Sequence, residues 1–476
     1  VYLPKDCDGS NKLIKKRFFA SFMVATIAAS SLIALSNTAS AADRTVTVWT
    51  PHTRAWQVTE WKAAVARIQA ANPQINIVLK TGIDMATSLK AIVANKSDGP
   101  DISVTNGNGN MGWFCAGGEG IWQKLNTMIS SKRDGLNLKT TFKPSANSAT
   151  ISGNIRCALP MPGTEVFAFF YNKDLLAKAG YSKPPSTTAE LLEYSKKLTT
   201  FDKDGNILTA GFVPKSGYYG WGMESMWLGQ AFGARWYNAN GSSALATDTK
   251  WVKMLTWQKK FIADVYGNGD FEKGTKALTK FNAAKGGEWG VKHDFITGRV
   301  AMKMDANWMA PLYCTGDSWA LADTCKYVNM GVTGFPTDAS VKATHSGSGL
   351  VGYPIAGISK TTKNVKDAWI VLKGLATDVK LSYAYDKVGG APSPLTAAAA
   401  KPEGLPKWYE PFYAVQNHPK SIYKLMPNTG EHQDETILAT LMAAWQDGAV
   451  TDLKGALEDA AGKIDQIIAR NQVDES

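Results

Sequence analysis

One stretch near the start of the chain constrains the fold more than any other. "RTVTVWT" (44–50) alternates apolar and polar residues with the period of a strand. "TRAWQVTEWKAAVARIQAANP" (53–73) then places Val58, Trp61, Val65 and Ile68 on one helical face, and Pro73 closes it. "QINIVLK" (74–80) reads as a second strand, Met85, Leu89 and Ile92 mark a second helix, and "PDISVT" (100–105) is a third strand. Strand, helix, strand, helix, strand in that order demands a parallel sheet covered by helices, an α/β architecture.

A chain of 476 residues is too long for one small core, so two lobes are expected. Hydrophobic content of 44% with 20% charged is ordinary for a globular protein. Residues 1–41 read as a secretory signal: "KKRFF" is its basic region, "FMVATIAASSLIAL" its apolar region, and Ala39-Ser40-Ala41 its cleavage site. The protein is therefore expected outside the cytoplasm, periplasmic or secreted, after cleavage near Ala41. That segment holds five basic and two acidic residues, so the net charge of +11 becomes +8 from Ala42 onward. The basic residues are scattered rather than clustered, which argues against a nucleic-acid partner.

Cysteine usage fits export. Cys7 falls within the signal, leaving Cys115, Cys157, Cys314 and Cys325. Cys314 and Cys325 bracket a Gly-Asp-Ser turn and are expected to bond to each other, which pairs Cys115 with Cys157. A zinc site is disfavoured, because no CxxC occurs and the histidines are far apart.

Two motifs invite cofactor or metal readings and support neither. "NGNGNMGWFCAGGEG" (106–120) contains Gly107-x-Gly109-x-x-Gly112, the spacing of a dinucleotide fingerprint. It follows the third strand instead of the first, so it reads as a ligand loop at the carboxyl end of a strand, and no cofactor is assigned. "TFDKDGNILTAGF" (200–212) begins like a calcium loop with Asp202, Asp204 and Asn206, but position 213 is Val where the loop needs a bidentate glutamate. A β-hairpin with Asp-Gly at its turn is expected there.

"MPGTEVFAFFYNKDLLAKAG" (161–180) puts a single glutamate, Glu165, at the head of an apolar strand. A helix over roughly 188–199 follows, then the aromatic-rich "SGYYGWGMESMWLGQAFGARWY", the strand of "FITGRVAMKMDANWM" (295–309), "YVNMGVTGFP", the glycine-rich "SGSGLVGYPIAGIS", the helix "NVKDAWIVLKGLAT", the loop "VGGAPSP" and a terminal helix with Leu453, Leu457, Ala460, Ile464 and Ile467 on one face.

This order resembles the family 1 extracellular solute-binding proteins of ABC importers, the group that includes maltose-binding protein. "YNKDLLAKAG" and "GRVAM…NW" are the most specific segments, and the likeness covers nearly the whole chain after the signal. The resemblance implies a two-lobed periplasmic-binding-protein fold of type II, each lobe a mainly parallel sheet flanked by helices, with a ligand cleft at the hinge. The implied division is a signal at 1–41, an N-terminal lobe from 42–164 and 349–393, and a C-terminal lobe from 165–348 and 394–476. It also implies a membrane permease as partner, a monomeric receptor, and no catalysis.

In that frame the strand beginning at Glu165 is the first crossover, and its carboxylate faces ligand hydroxyls at the cleft floor; a glutamate stands at the matching place in maltose-binding protein, six residues before the tyrosine. A sugar presents hydroxyls, which suit carboxylates and amides, and C–H faces, which suit flat rings. Further candidates at cleft positions are Thr50 and His52 after the first strand, and Asn106 and Asn108 after the third. Trp221, Trp227 and Trp308 lie in the second lobe, Gly347 and Gly349 in the glycine-rich crossover, and Glu431, His432 and Gln433 at the start of a late helix. Each has a plainer reading: tryptophans are commonly core, His52 reads as a surface residue, and "EHQDE" can simply place negative charge at a helix N-terminus. An exported glycoside hydrolase using Glu165 and Glu431 remains open, as does a binding protein for a phosphorylated polyol.

Overall fold

The computed structural model describes residues 44–95, 98–107, 111–115, 120–151, 155–214, 223–287, 289–317, 320–398, 403–421 and 433–471. Two sheets dominate them. The first is five-stranded, in the order β2-β1-β3-β11-β4, from β1 (Thr45–Thr50), β2 (Asn76–Thr81), β3 (Ile102–Thr105), β4 (Ala158–Pro160) and β11 (Ile355–Ile358). The second is six-stranded: β10 (Leu350–Gly352), β5 (Glu165–Asn172), β8 (Val300–Ala306), β7 (Ile207–Phe212) and β6 (Thr200–Phe201) in that order, with β9 (Met330–Thr333) also paired to β5. Both lie within one compact unit running from Ala41 to Ser476.

The strand–helix alternation at the start folds as its periodicity requires. β1 pairs parallel with β2 and with β3. The helix Ala55–Ala71 between them buries Gln57, Trp61, Ala64 and Ile68, a stripe that shares only Trp61 and Ile68 with the expected one. Asp84 caps the next helix, Met85–Val93, by accepting from the Thr87 N–H at 2.7 Å. The helix Thr188–Leu198 starts on a full capping box, Thr187 with Glu190. The expected hairpin is there too: β6 pairs antiparallel with β7, and the Asp202 carboxylate accepts from the N–H groups of Asp204 and Asn206.

Strand direction shows how the sheets are joined. In the first sheet β1 to β4 run one way and β11 runs against them; in the second, β7 to β10 run one way, against β5 and β6. Most strands of each sheet are therefore co-directional, yet most neighbours in the second are antiparallel, because the crossover strand β5 sits inside it. The chain leaves the first sheet at Pro160, enters the second at Glu165, and returns between Gly352 and Ile355. The two crossings lie side by side: Gly352 pairs with Glu165, Ile355 pairs with Pro160, and the Met161 N–H donates to Pro354 O at 2.8 Å.

β5 is apolar because both its faces are covered. Val166, Ala168 and Phe170 join one core cluster, Phe167 and Phe169 the other. Both disulfides form as expected, Cys115–Cys157 with Cα atoms 5.7 Å apart and Cys314–Cys325 at 4.2 Å. The first anchors the residues just before β4. No described helix is long and apolar enough to cross a membrane.

Candidate functional site

The carboxyl ends of β1 and β3 and the start of β5 converge where the two sheets meet. Glu165, half-buried, turns its carboxylate onto the loop after β3: a Cβ placed on Gly107 would stand 3.3 Å from Glu165 Oε2. Thr105 steadies that loop, its hydroxyl donating to Gly107 O at 2.8 Å. Beyond β5, Asn307 fixes the crossing. Its Oδ1 accepts from the Val166 N–H at 2.8 Å, and its Nδ2 donates to Thr164 O at 3.3 Å and to Gly390 O at 2.6 Å. One buried amide thus ties the first crossing to the chain's later return.

An aromatic wall stands beside Glu165. His52 lies 5.4 Å from the Trp61 ring and 5.5 Å from Tyr385, while Trp56 meets Tyr385 edge-on at 5.0 Å. Trp61 Nε1 donates to the Tyr385 hydroxyl at 2.8 Å, which fixes that ring. Gly163 has φ +109° and would bring a Cβ within 3.3 Å of the Tyr385 ring, so the chain passes close against the ring only as glycine. From the second sheet, Trp308 caps the helix Met309–Thr315 and meets Phe167 edge-on at 5.3 Å. It packs against both hydrophobic cores.

Three polar atoms in this region are buried without a hydrogen-bond partner among the described residues: the Thr50 hydroxyl, His52 Nε2 and the Thr164 hydroxyl. Such atoms are costly to leave unsatisfied. Burial pushes the His52 pKa down to about 4, so its imidazole is neutral near pH 7 and can donate from one nitrogen and accept at the other. The set combines a carboxylate, hydroxyls, a neutral imidazole and several rings. That chemistry suits a neutral, hydroxyl-rich molecule with apolar faces. Among the described residues no group of His, Cys, Asp and Glu is arranged to hold a metal ion.

The sequence pattern of the bacterial extracellular solute-binding proteins matches residues 55–379, more than half of the chain. The chain belongs to that family. Solved structures of similar fold include CpMnBP1 with mannotriose bound (22% identity, TM-score 0.65, covering 88% of this chain and 99% of that one). A cyclo/maltodextrin-binding protein complexed with maltotetraose is similar at 17% identity and TM-score 0.63, covering 90% of this chain and 97% of that one. The maltose-maltodextrin binding protein of Alicyclobacillus acidocaldarius is similar at 18% identity and TM-score 0.57, covering 89% and 100%. The fold of this solute-binding protein is the two-lobed α/β fold of that class.

In this solute-binding protein the sequence-derived candidates fall into three groups. Thr50, His52, Glu165 and Trp308 lie at the junction just described, and Asn106 sits exposed beside Gly107. His52 is not the surface residue expected: it is 8% exposed, packed between the Trp61 and Tyr385 rings. Trp227 is buried in the second core, 5.9 Å from Phe167. Gly349 lies where a Cβ would be 2.3 Å from Phe167 O, a close backbone approach beside β5, and Gly347 turns the chain at φ +88°. Gln433 begins the helix Gln433–Gln446. Trp221, Asn108, Glu431 and His432 lie outside the described residues.

Sequence reasoning missed Trp56, Gly163, Thr164, Asn307 and Tyr385. Thr164 and Gly163 adjoin Glu165 and Asn307 precedes Trp308, so their neighbours were the available signal. Tyr385 lies far along the chain in a helix, and nothing local marked it. A separate pocket beside β7 and β8, lined by Phe212, Trp227, Phe281, His293 and Met304 among others, includes none of the junction residues. In its wall Lys303 belongs to a network that accounts for the charges in the strand "VAMKMDA": it pairs with Asp305 at 2.5 Å and donates to the Tyr313 hydroxyl at 2.9 Å.

Proposed function

We propose that the protein is an extracytoplasmic receptor that binds a carbohydrate, a mono- or oligosaccharide, where its two lobes meet, and delivers it to the permease of an ABC transporter. It acts as a monomer, without catalysis or cofactor, outside the cytoplasm after loss of a signal ending near Ala41. Its N-terminal lobe takes 42–164 and 353–393 and its C-terminal lobe 165–352 and 394–476, the expected boundary at 349 moving because β10 pairs with β5 in the second sheet. One observation carries the reading: the Glu165 carboxylate lies against Gly107 at the junction, flanked by Thr50, His52 and Thr164 atoms that have no hydrogen-bond partner among the described residues, and by aromatic rings. Ligand hydroxyls are the natural partners for those polar atoms, and the rings suit the C–H faces of a sugar. The bound mannotriose and maltotetraose of two similar structures support the same class.

The test is a melting screen of the protein from Ala42 onward. Mannobiose, mannotriose and maltotetraose are compared with a phosphorylated polyol, and each sugar is checked for hydrolysis. A cognate sugar at a hundred times its dissociation constant adds about 2.7 kcal/mol of stability. Stabilisation by at least one neutral saccharide, without turnover, is expected. Response to the phosphorylated polyol alone, or turnover of a glycoside, overturns the reading.

A further inference from the structure

The dipeptide Asn-Gly stands at 106–107, 108–109, 240–241 and 268–269. In this pair an asparagine side chain closes readily on the main chain, because glycine sets no Cβ beside its own nitrogen. The fold treats the described pairs differently. The Gly241 N–H donates to Asn238 O at 3.0 Å, and the Asn240 amide oxygen accepts from the Ser242 N–H at 3.1 Å and the Ser242 hydroxyl at 2.8 Å. The Gly269 N–H donates to Ala263 O at 2.9 Å. In both pairs the nitrogen that would attack is already engaged. At the remaining described pair Asn106 is exposed to water, and among the described residues no hydrogen bond holds its side-chain amide or the Gly107 N–H. Asn108 and Gly109 lie outside the described residues.

That open pair sits in the loop after β3, at the junction. The Thr105 hydroxyl reaches over residue 106 to donate to Gly107 O at 2.8 Å. On its other side, a Cβ on Gly107 would stand 3.3 Å from Glu165 Oε2. Residue 106 is thus the link between a hydrogen-bonded turn and the glycine on which the carboxylate rests.

We propose that Asn106 is a site of spontaneous modification, where closure onto the Gly107 nitrogen followed by hydrolysis turns the side-chain amide into a carboxylate and lowers the receptor's affinity as the protein ages. The effect on affinity rests on the solute-binding reading; the chemistry does not. The Gly107 nitrogen gives up its proton to solvent base and bonds to Asn106 Cγ. The Cγ–Nδ2 bond breaks, and ammonia leaves with a proton from water. A water molecule then opens the ring. Cleavage at Cγ restores the normal main chain and leaves an aspartate. Cleavage at the Asn106 carbonyl carbon leaves the main chain running through the side chain, a methylene longer, as isoaspartate. Either product puts a negative charge next to the glycine that Glu165 abuts, and like charges disfavour each other. The longer product also stretches the span that the Thr105–Gly107 bond bridges.

The experiment follows the folded protein during incubation at mildly alkaline pH, which favours the attacking nitrogen. Mass spectrometry of its peptides, with fragment ions assigning each conversion to its residue, reads aspartate and isoaspartate at positions 106, 240 and 268. Asn106 is expected to convert roughly fivefold faster or more than Asn240 or Asn268, the factor that a single net hydrogen bond supplies. In urea the same pairs are expected to convert at similar rates, because the bonds that protect two of them are gone. Calorimetry with the best sugar from the melting screen is expected to show the wild type losing affinity in step with the modified fraction. Asn106→Gln, whose longer side chain closes far more slowly, is expected to keep its own fresh affinity over the same incubation. Conversion at Asn106 no faster than at Asn240 and Asn268 in the folded chain overturns the site. An aged wild type that binds as tightly as the fresh protein overturns the effect on affinity. The mass readout needs neither ligand nor variant, so a protein that binds no sugar sinks the receptor reading while the modification site still stands or falls on its own rates.

Discussion

Glu165 opens the second sheet and Gly107 lies in the loop after β3 of the first, and the carboxylate of one rests on the backbone of the other. A methyl group at position 107 would lie 3.3 Å from Glu165 Oε2, tight enough that the carboxylate must shift by a few tenths of an ångström. Gly107→Ala is therefore expected to weaken saccharide binding without unfolding the protein. Glu165→Gln loses charge-assisted hydrogen bonds, each worth about 1.5–3 kcal/mol, so affinity should fall roughly tenfold or more. Titration calorimetry with the best sugar from the melting screen checks both. Unchanged affinity in Glu165→Gln removes the carboxylate from the site.

Trp308 touches both cores and is only partly buried, so it contributes to stability and, on the proposed reading, to binding as well. Trp308→Ala should cost less than the roughly 3–5 kcal/mol of a fully buried tryptophan, yet reduce affinity by more than its melting shift implies. Trp308→Phe keeps an edge-on ring against Phe167 and should recover most of the stability. Denaturant unfolding and calorimetry on both variants separate the two effects.

His52 sets one component of the pH dependence. Its folded pKa, about 4, lies below its ordinary value of 6.5, so between those values the unfolded chain binds more protons. The stability it contributes is complete above about pH 6.5 and is lost as the pH falls toward 4. Asp386 acts with the opposite sign, since its pKa is raised to about 7, and His293, pulled down to about 2, acts with the same sign as His52. The difference in urea stability between wild type and His52→Gln isolates the first: it should shrink as the pH drops from 6.5 to 4.5. A difference independent of pH would show that His52 is solvated.

The two disulfides close loops of different size, with sequence separations of 42 and 11. Chain entropy assigns about 4 kcal/mol to Cys115–Cys157 and about 3 kcal/mol to Cys314–Cys325. Replacing the first pair with serine should lower the melting temperature more than replacing the second. The first pair also secures the approach to β4, so its loss should weaken ligand binding as well. Differential scanning calorimetry and binding titration of each double variant decide the point.

Local periodicity carried much of the fold. From Thr45 to Thr105 the elements come in the order read, because strand alternation and helical spacing are local; the buried faces were less legible, the helix Ala55–Ala71 burying Gln57 and Ala64 where Val58 and Val65 were expected. The crossover at Glu165 was implied by the family resemblance, and the lone charge on an apolar strand singled out its first residue. Strand direction in the second sheet was not legible: β5 lies antiparallel between β10 and β8, which depends on partners more than a hundred residues away. His52 was misplaced for the same reason, since its burial comes from the ring of Tyr385, 333 positions further on. One buried network escaped notice entirely: Tyr413 donates to Asp386 and Lys143 to Gln416, residues that are unremarkable letters until the chain folds back upon itself.

The placement of β11 has a consequence for how the molecule is made. It lies between β3 and β4, which do not touch each other without it. A nascent chain can assemble β1, β2 and β3 early, but β4 has no neighbour to join until Ile358 has been synthesised. For most of its elongation the polypeptide is thus a set of unfinished ribbons, and a fragment ending near Thr164 would be an open-edged, sticky intermediate in place of an independent lobe.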